Sequence, residues 1–179
     1  PAGQVRAARR ARWIVQAASL NAGRRVLEVG CGTGIFTQYF AATGAQVTAV
    51  DISEELLELA RVRGLPQNVK LIRAPFEELS TAEPFDAIVG SSVLHHLEIR
   101  PALAHIFGLL KVGGVIAFGE PNMLNPQVMA QKNVPWIKER LGDSPDETAF
   151  FRWQMRSLLA EAGFSEIEIT PLDWLHPLT

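Results

Sequence analysis

Five short apolar runs punctuate the chain at regular intervals: RVLEVG (25–30), AQVTAVD (45–51), NVKLIRA (68–74), FDAIVGS (85–91) and GVIAFGE (114–120). Each is rich in Val and Ile and bounded by turn residues, the pattern of a buried strand. A further run, FSEIEITPL (164–172), follows Gly163 and reads as a sixth strand. Helical periods lie between the strands. The cleanest begins at Ser53, a plausible N-cap, with Glu54 and Glu55 at the positive dipole end. It turns Leu56, Leu57, Leu59 and Ala60 inward and finishes with Arg61 and Arg63 before Gly64 and Pro66. Strand–helix alternation at this spacing implies right-handed crossovers and a mostly parallel sheet with helices on both faces. The expected fold is α/β, a doubly wound Rossmann-like sheet. The chain reads as a single domain over 1–179, with an N-terminal helix over 4–21 and an insertion over 121–153. No internal repeat or low-complexity tract interrupts it.

In such a sheet ligands sit beyond the carboxyl ends of the strands, where strand order reverses. The stretch VLEVGCGTGIF (26–36) falls at that place. Gly30, Gly32 and Gly34 allow a tight turn and close approach to a ligand, and amides opening the next helix point toward it. The spacing is G-x-G-x-G, and Ile35 stands where a dinucleotide loop needs its third glycine, which counts against NAD and FAD. Asp51, at the end of the second strand, is placed to accept hydrogen bonds from both hydroxyls of a ribose. The ligand is therefore expected to be a nucleoside with a compact non-ribose end.

Composition adds exclusions. A chain of 179 residues with 47% apolar content, 20% charge and a net charge of -2 fits a globular domain and gives no reason to expect nucleic-acid binding. No apolar run approaches the ~18 residues of a membrane span and no secretory segment opens the sequence, so the expected location is the cytoplasm. The one cysteine, Cys31, cannot form an internal disulfide. No Cys/His cluster has zinc spacing, so no metal is expected.

Several motifs occur in an order that resembles the class I S-adenosylmethionine-dependent methyltransferases, in the small-molecule branch with a type 11 methyltransferase domain. VLEVGCGTG is similar to that family's cofactor loop, VTAVDIS to its ribose segment, and FDAIVGSSVLHHL to its fourth strand and following loop. LLKVGGVIAFGEPN is similar to its fifth strand and LLAEAGF to its late helix and turn. The match runs from Val26 to about Phe164. It implies S-adenosylmethionine as cofactor, S-adenosylhomocysteine as product and a small-molecule methyl acceptor.

The resemblance also implies roles. Glu28 would help fix the methionine amino group, often through water, while Gly30, Gly32 and Gly34, with Cys31 as a small residue tolerated among them, would approach the methionyl and ribose portions. Asp51 would hold the ribose, Ile52 would lie against adenine, and Ser91 would end the fourth strand beside the methionine portion. Pro75 departs from the family, which often has an acid there for the adenine amino group; proline offers neither a side-chain acceptor nor an amide hydrogen. The Phe76 amide and ring, with Glu77 or Glu78, are the substitutes. Transfer from a sulfonium is an in-line displacement that mainly requires alignment and exclusion of water. A base is needed only for a poorly acidic hydroxyl or a protonated amine, and His95, His96, Glu120 and His176 are the candidates.

The acceptor must be sought outside the sheet. The N-terminal helix sets Arg6, Arg9, Arg10 and Arg12 beside an apolar set of Trp13, Ile14 and Ala17, either a solvated basic face or a grip on an acidic substrate. The insertion 121–153 far exceeds an ordinary strand-to-helix connection and is expected to form a substrate lid lined by Met123, Met129, Trp136, Phe150 and Trp153; core packing is the alternative for the aromatics. No N/D-P-P-Y/F run follows the fourth strand, which favours a small-molecule acceptor. The family's last antiparallel strand has no sequence left to build it: either the natural chain continues or a partner covers the edge, and an unpaired edge invites homo-oligomerisation. The rival functions are a nucleotide-binding oxidoreductase, which would need the loop this chain lacks, and a non-catalytic descendant that binds cofactor or a partner.

Overall fold

The computed structural model describes residues 2–121 and 151–171. In chain order the elements are α1 (Ala2–Ala17), β1 (Arg25–Val29), α2 (Thr37–Ala41), β2 (Gln46–Asp51), α3 (Glu54–Val62), β3 (Val69–Arg73), β4 (Phe85–Ser91), α4 (Ile99–Leu109), β5 (Leu110–Gly119) and α5 (Arg152–Glu161). One compact unit comprises Pro1–Ser91 with Gly108–Gly119, and a second comprises Ser92–Phe107 with Glu120–Thr179.

The first unit carries a five-stranded parallel sheet of order β3-β2-β1-β4-β5. The chain starts at the centre, steps outward to β3, then crosses back over β1 to β4. That reversal creates a switch point between β1 and β4. Central parallel strands are shielded on both faces, so they read as unbroken apolar runs and not as alternation. The core confirms it: Val26, Leu27 and Val29 of β1, Val47, Ala49 and Val50 of β2, and Ala87, Ile88 and Val89 of β4 are all buried.

Helices α3 and α1 each bury a narrower stripe than their sequences suggested. On α3 the buried residues are Leu57 and Ala60, whereas Leu56 is partly exposed and Leu59 is 53% exposed. Leu57 and Ala60 are three positions apart and share one face; Leu56 and Leu59 are each turned about 100° away from it. On α1 the buried positions are Ala11 and Ile14, followed by Ala18 just past its end, while Trp13 and Ala17 face outward. The helix occupies Ala2–Ala17 in place of the 4–21 expected. Helix α3 does keep its expected cap, with Ser53 Oγ accepting from the Leu56 amide at 3.3 Å.

Two strand readings change. β5 begins earlier than residue 114: Phe85 pairs with Leu110, and pairing then jumps to Ala87 with Val115, so Lys111–Gly114 forms an irregularity inside the strand. Residues 164–171 form no strand. Glu166 sits at φ 52, in the left-handed region, which breaks the extension a ladder requires.

In the second unit, Phe107 of α4 meets Phe164 edge-on at 5.3 Å, and Arg100 pairs with Glu161 of α5. Trp153 is 57% exposed and stacks on Phe151, with ring centroids 4.6 Å apart, so it is not a core residue. The other residues assigned to the lid lining, Met123, Met129, Trp136 and Phe150, lie outside the described residues, as does His176. Among the described residues no helix is long and apolar enough to cross a membrane.

One core position runs against hydrophobic economy. Glu28, in the middle of the central strand, is 2% exposed, flanked by Ala49 and Val89 on the neighbouring strands. Burial pushes its carboxyl up to about 8, the Thr37 hydroxyl offsets part of that, and the charge of Asp51 adds to it. A carboxyl with a raised folded-state pKa contributes no penalty below its ordinary value, and stability falls as pH rises from there through the folded value. Glu28→Gln removes that dependence. The variant should therefore gain stability over the natural sequence as pH climbs from about 5 to 8, by up to about 1.4 kcal/mol per pH unit. Thermal melts of both proteins across this range check it; a difference that does not change with pH would show that Glu28 is not held neutral.

Candidate cofactor site

The glycine loop leaves β1 at Gly30 and reaches α2 at Thr37. Its first step extends the sheet, with the Cys31 amide donating to the Val50 carbonyl at 3.0 Å. The chain then turns at Gly32, where φ is 52. A Cβ placed on Gly32 would meet nothing within 4 Å, so the loop borders open space at this point. Gly34 serves a different purpose: a Cβ there would lie 3.2 Å from Ala60 Cβ, so this glycine lets the loop pack on α3. Arg63, at the end of α3, adds a clamp by donating from Nε to the Thr33 carbonyl at 2.7 Å.

Asp51 closes the arrangement. Its Oδ2 accepts from the Gly32 amide at 2.7 Å and its Oδ1 accepts from the Ser53 amide at 2.9 Å. The carboxylate thus joins the loop after β1 to the turn after β2. An ionised carboxylate has about four acceptor positions, so two bonds to backbone leave room for ligand hydroxyls. Next to it Ile52 is 67% exposed, an apolar side chain left in solvent at the strand end. Pro75 and Phe76 follow β3, whose continuation is tied back by the Ala74 amide donating to the Asp51 carbonyl at 3.2 Å. Phe76 is buried and opens a short 3-10 turn, Phe76–Glu78, on which Glu77 and Glu78 are exposed.

Beneath the loop lie Glu28 and Thr37. Glu28 Oε2 and Thr37 Oγ1 are buried, and neither completes a well-formed hydrogen bond with the protein. A buried polar atom without a partner is costly, so this pair marks a place that water or a ligand group would satisfy. Cys31 is buried beside them, and burial, reinforced by the charges of Glu28 and Asp51, pushes its thiol well above the usual range. It is a packing residue, held in the protonated form that is a poor nucleophile.

At the far side of the switch point Ser91 ends β4, and its Oγ accepts from Arg10 Nη1 at 3.1 Å. Gly119, ending β5, admits the same arginine: a Cβ there would stand 2.9 Å from Arg10 Cδ. Arg10 is thereby set apart from Arg6, Arg9 and Arg12, with which it shared a basic face in sequence. The signal that could have distinguished it is the glycine at a strand end, where a larger residue would exclude the side chain. Thr37 was also missed, since a threonine after a glycine loop carries no pattern of its own.

The second unit holds its own polar cluster. Glu120 Oε1 accepts from the Val93 and Leu94 amides at 2.9 and 3.1 Å, and its Oε2 lies 2.8 Å from His95 Nδ1. Both side chains are nearly buried, and the His95 and His96 rings lie 4.0 Å apart. Glu120 is committed to three bonds that fix the 3-10 turn Leu94–His96, so it positions that turn; it also sets His95 with Nδ1 toward a carboxylate. Among the described residues no group of three His, Cys, Asp or Glu side chains could hold a metal ion.

Comparison with known proteins agrees with this arrangement. The family model described as a methyltransferase domain matches residues 27–118, about half of the chain. A Bordetella bronchiseptica protein named ubiquinone biosynthesis O-methyltransferase is 39% identical over 120 residues, covering 64% of this chain and 49% of that one. A protein of the same name from Thiobacillus denitrificans is 31% identical over 180 residues, covering 95% of this chain and 76% of that one. The chain spans about half the length of the first of these relatives. Among solved structures, an S-adenosylmethionine-dependent methyltransferase from Mesorhizobium loti superposes with a TM-score of 0.67 at 19% identity, covering 87% of this chain and 79% of that one. At that identity the superposition speaks for the fold, while the family model, over 27–118, runs through the loop and the sheet that carries it. The chain belongs to the class I S-adenosylmethionine-dependent methyltransferases.

Proposed function

We propose that this protein transfers a methyl group from S-adenosylmethionine to a hydroxyl of a small aromatic acceptor. The observation that carries the reading is the preformed G-x-G-x-G loop, held by Asp51 and bordering open space at Gly32, in a chain 31% identical over nearly its whole length to a protein named as an O-methyltransferase. The relatives' shared name supports oxygen as the atom methylated and a precursor in ubiquinone biosynthesis as the class of acceptor.

The residues present fit the cofactor. Asp51 supplies acceptors for the ribose hydroxyls, exposed Ile52 an apolar surface for adenine, and Glu28 with Thr37 two buried polar atoms in want of a partner. The Arg10 guanidinium, between Ser91 and Gly119 at the strand ends, suits the carboxylate of an amino-acid moiety. When bound, the cofactor brings a methyl group already activated on positive sulfur. The chain's work is then to orient the donor, align an acceptor oxygen with it and keep water away. For a weakly acidic hydroxyl, His95 is the residue suited to take the proton, because the Glu120 carboxylate at Nδ1 holds and orients its ring. The insertion over 121–153, most of which lies outside the described residues, is proposed to select the acceptor, and the exposure of Trp153 supports a role at the surface.

Incubation with methyl-labelled S-adenosylmethionine and a panel of catechols, with and without a polyprenyl tail, tests the reading. Label should appear as a ring methyl ether in at least one member. Absence of transfer to any member by a protein that binds the cofactor would contradict the proposed acceptor class. For the cofactor itself, Asp51→Ala removes acceptors for the ribose and frees the Gly32 amide. Affinity should fall by about 1.5 to 3 kcal/mol, the scale of hydrogen bonds to a charged group, with the circular dichroism spectrum preserved. A folded variant with unchanged affinity would reject Asp51 as a cofactor residue.

A further inference from the structure

We propose that Glu28 surrenders its proton when the cofactor binds, so that the site exchanges one proton for the ligand's α-ammonium and thereby selects amino-acid-bearing nucleosides. The inference rests on the cofactor reading given above and deepens it.

Geometry carries the argument. Glu28 sits on the central strand directly before the loop, fully enclosed by β2, β4 and α2. The residues paired with it, Ala49 and Val89, are apolar, and α2 contributes the neutral hydroxyl of Thr37. The charge that acts on it is that of Asp51 at the end of β2, and the nearby Cys31 thiol in the loop is itself pushed up by Glu28; both are acids. Among the described residues no cation pairs with Glu28, and its Oε2 has no hydrogen-bond partner. An isolated carboxylate in such surroundings is far less favourable than the neutral acid. The free protein accordingly keeps the proton at neutral pH, the carboxyl being pushed up to about 8.

A cationic ligand group reverses that balance. An ammonium brought to the base of the loop, directly or through one water, supplies the positive charge and donors that Glu28 Oε2 and Thr37 Oγ1 lack. The carboxyl O–H then ionises: its bonding electrons remain on oxygen, the proton passes to solvent, and the new carboxylate pairs with the ammonium. No other reactant is consumed. By linkage, affinity must rise with pH wherever the free protein holds the proton and the complex does not. The slope approaches tenfold per pH unit below the free-protein value and flattens above it.

Calorimetry of the whole protein with S-adenosylhomocysteine, at one pH near 7 in two buffers of different ionisation enthalpy, reads the proton directly. The expected result is release of close to one proton per ligand bound, with affinity rising about tenfold between pH 6 and 7. Two controls should abolish both effects: Glu28→Gln, and 5′-methylthioadenosine, which has the nucleoside but no ammonium. The second needs no variant, so a failure of Glu28→Gln to fold leaves the test intact. Equal heats in both buffers with pH-independent affinity would overturn the proton exchange while leaving the cofactor reading in place. Proton release that is the same with 5′-methylthioadenosine would overturn the role of the ammonium. Failure of any of these nucleosides to bind at millimolar concentration would instead overturn the cofactor reading, and the proposal with it.

Discussion

One carboxylate fixes the geometry on which the rest of the site depends. Asp51 accepts from the Gly32 amide on one oxygen and from the Ser53 amide on the other, so the loop after β1 and the entry to α3 cannot move independently. Arg63 restrains the next loop residue, and Gly34 seats the loop against Ala60. A glycine-rich segment loses more backbone freedom on ordering than any other, and here that loss is met during folding by hydrogen bonds and packing within the protein. A ligand arriving at such a loop need not spend binding energy on assembling it. In the proposed reading the same carboxylate that organises the loop also holds the ribose, which would couple the shape of the site to its chemistry.

Glu28 shows the opposite logic. Where Asp51 is tied to backbone amides of the protein, Glu28 lies within an apolar sheet with one oxygen unpartnered and, among the described residues, no cation acting on it. A valine in its place would spare the sheet a buried carboxyl. Its retention in the centre of the structure is intelligible if a ligand completes it, and stability given up at a functional position is a common compromise. The two acids thus divide the work: one builds the loop, the other waits beneath it.

The sheet was legible because its central strands are buried on both faces and so appear as apolar runs, and the loop because its three glycines take positive φ where side chains would be strained. Asp51 was legible from its place at a strand end, although its hydrogen bonds to backbone were not, since they depend on how two loops meet. Periodicity overstated how much of α3 faces inward: four residues fitted an apolar stripe, and the sheet admits two of them. It also gave a strand over 164–172, where alternation of Ile167 and Ile169 is genuine but the left-handed Glu166 prevents a ladder from starting. Glu120 illustrates a third limit. Its place as an acid near histidines was legible, whereas its three hydrogen bonds to Val93, Leu94 and His95, which support a turn, were not. Arg10 could not be told from three neighbouring arginines without the contact that Gly119 permits.

The central claim is that the loop held by Asp51 is the place where an adenosyl ligand binds, on a framework already in position. Amide chemical-shift mapping of the labelled protein during titration with S-adenosylhomocysteine tests it most directly. The account predicts saturable shifts confined largely to Glu28–Gly34, Thr37, Asp51–Ser53, Phe76 and Ser91. It also predicts that the Gly32 amide is protected from hydrogen exchange before any ligand is added. Shifts clustered elsewhere, with the glycine loop unperturbed at saturation, would contradict it.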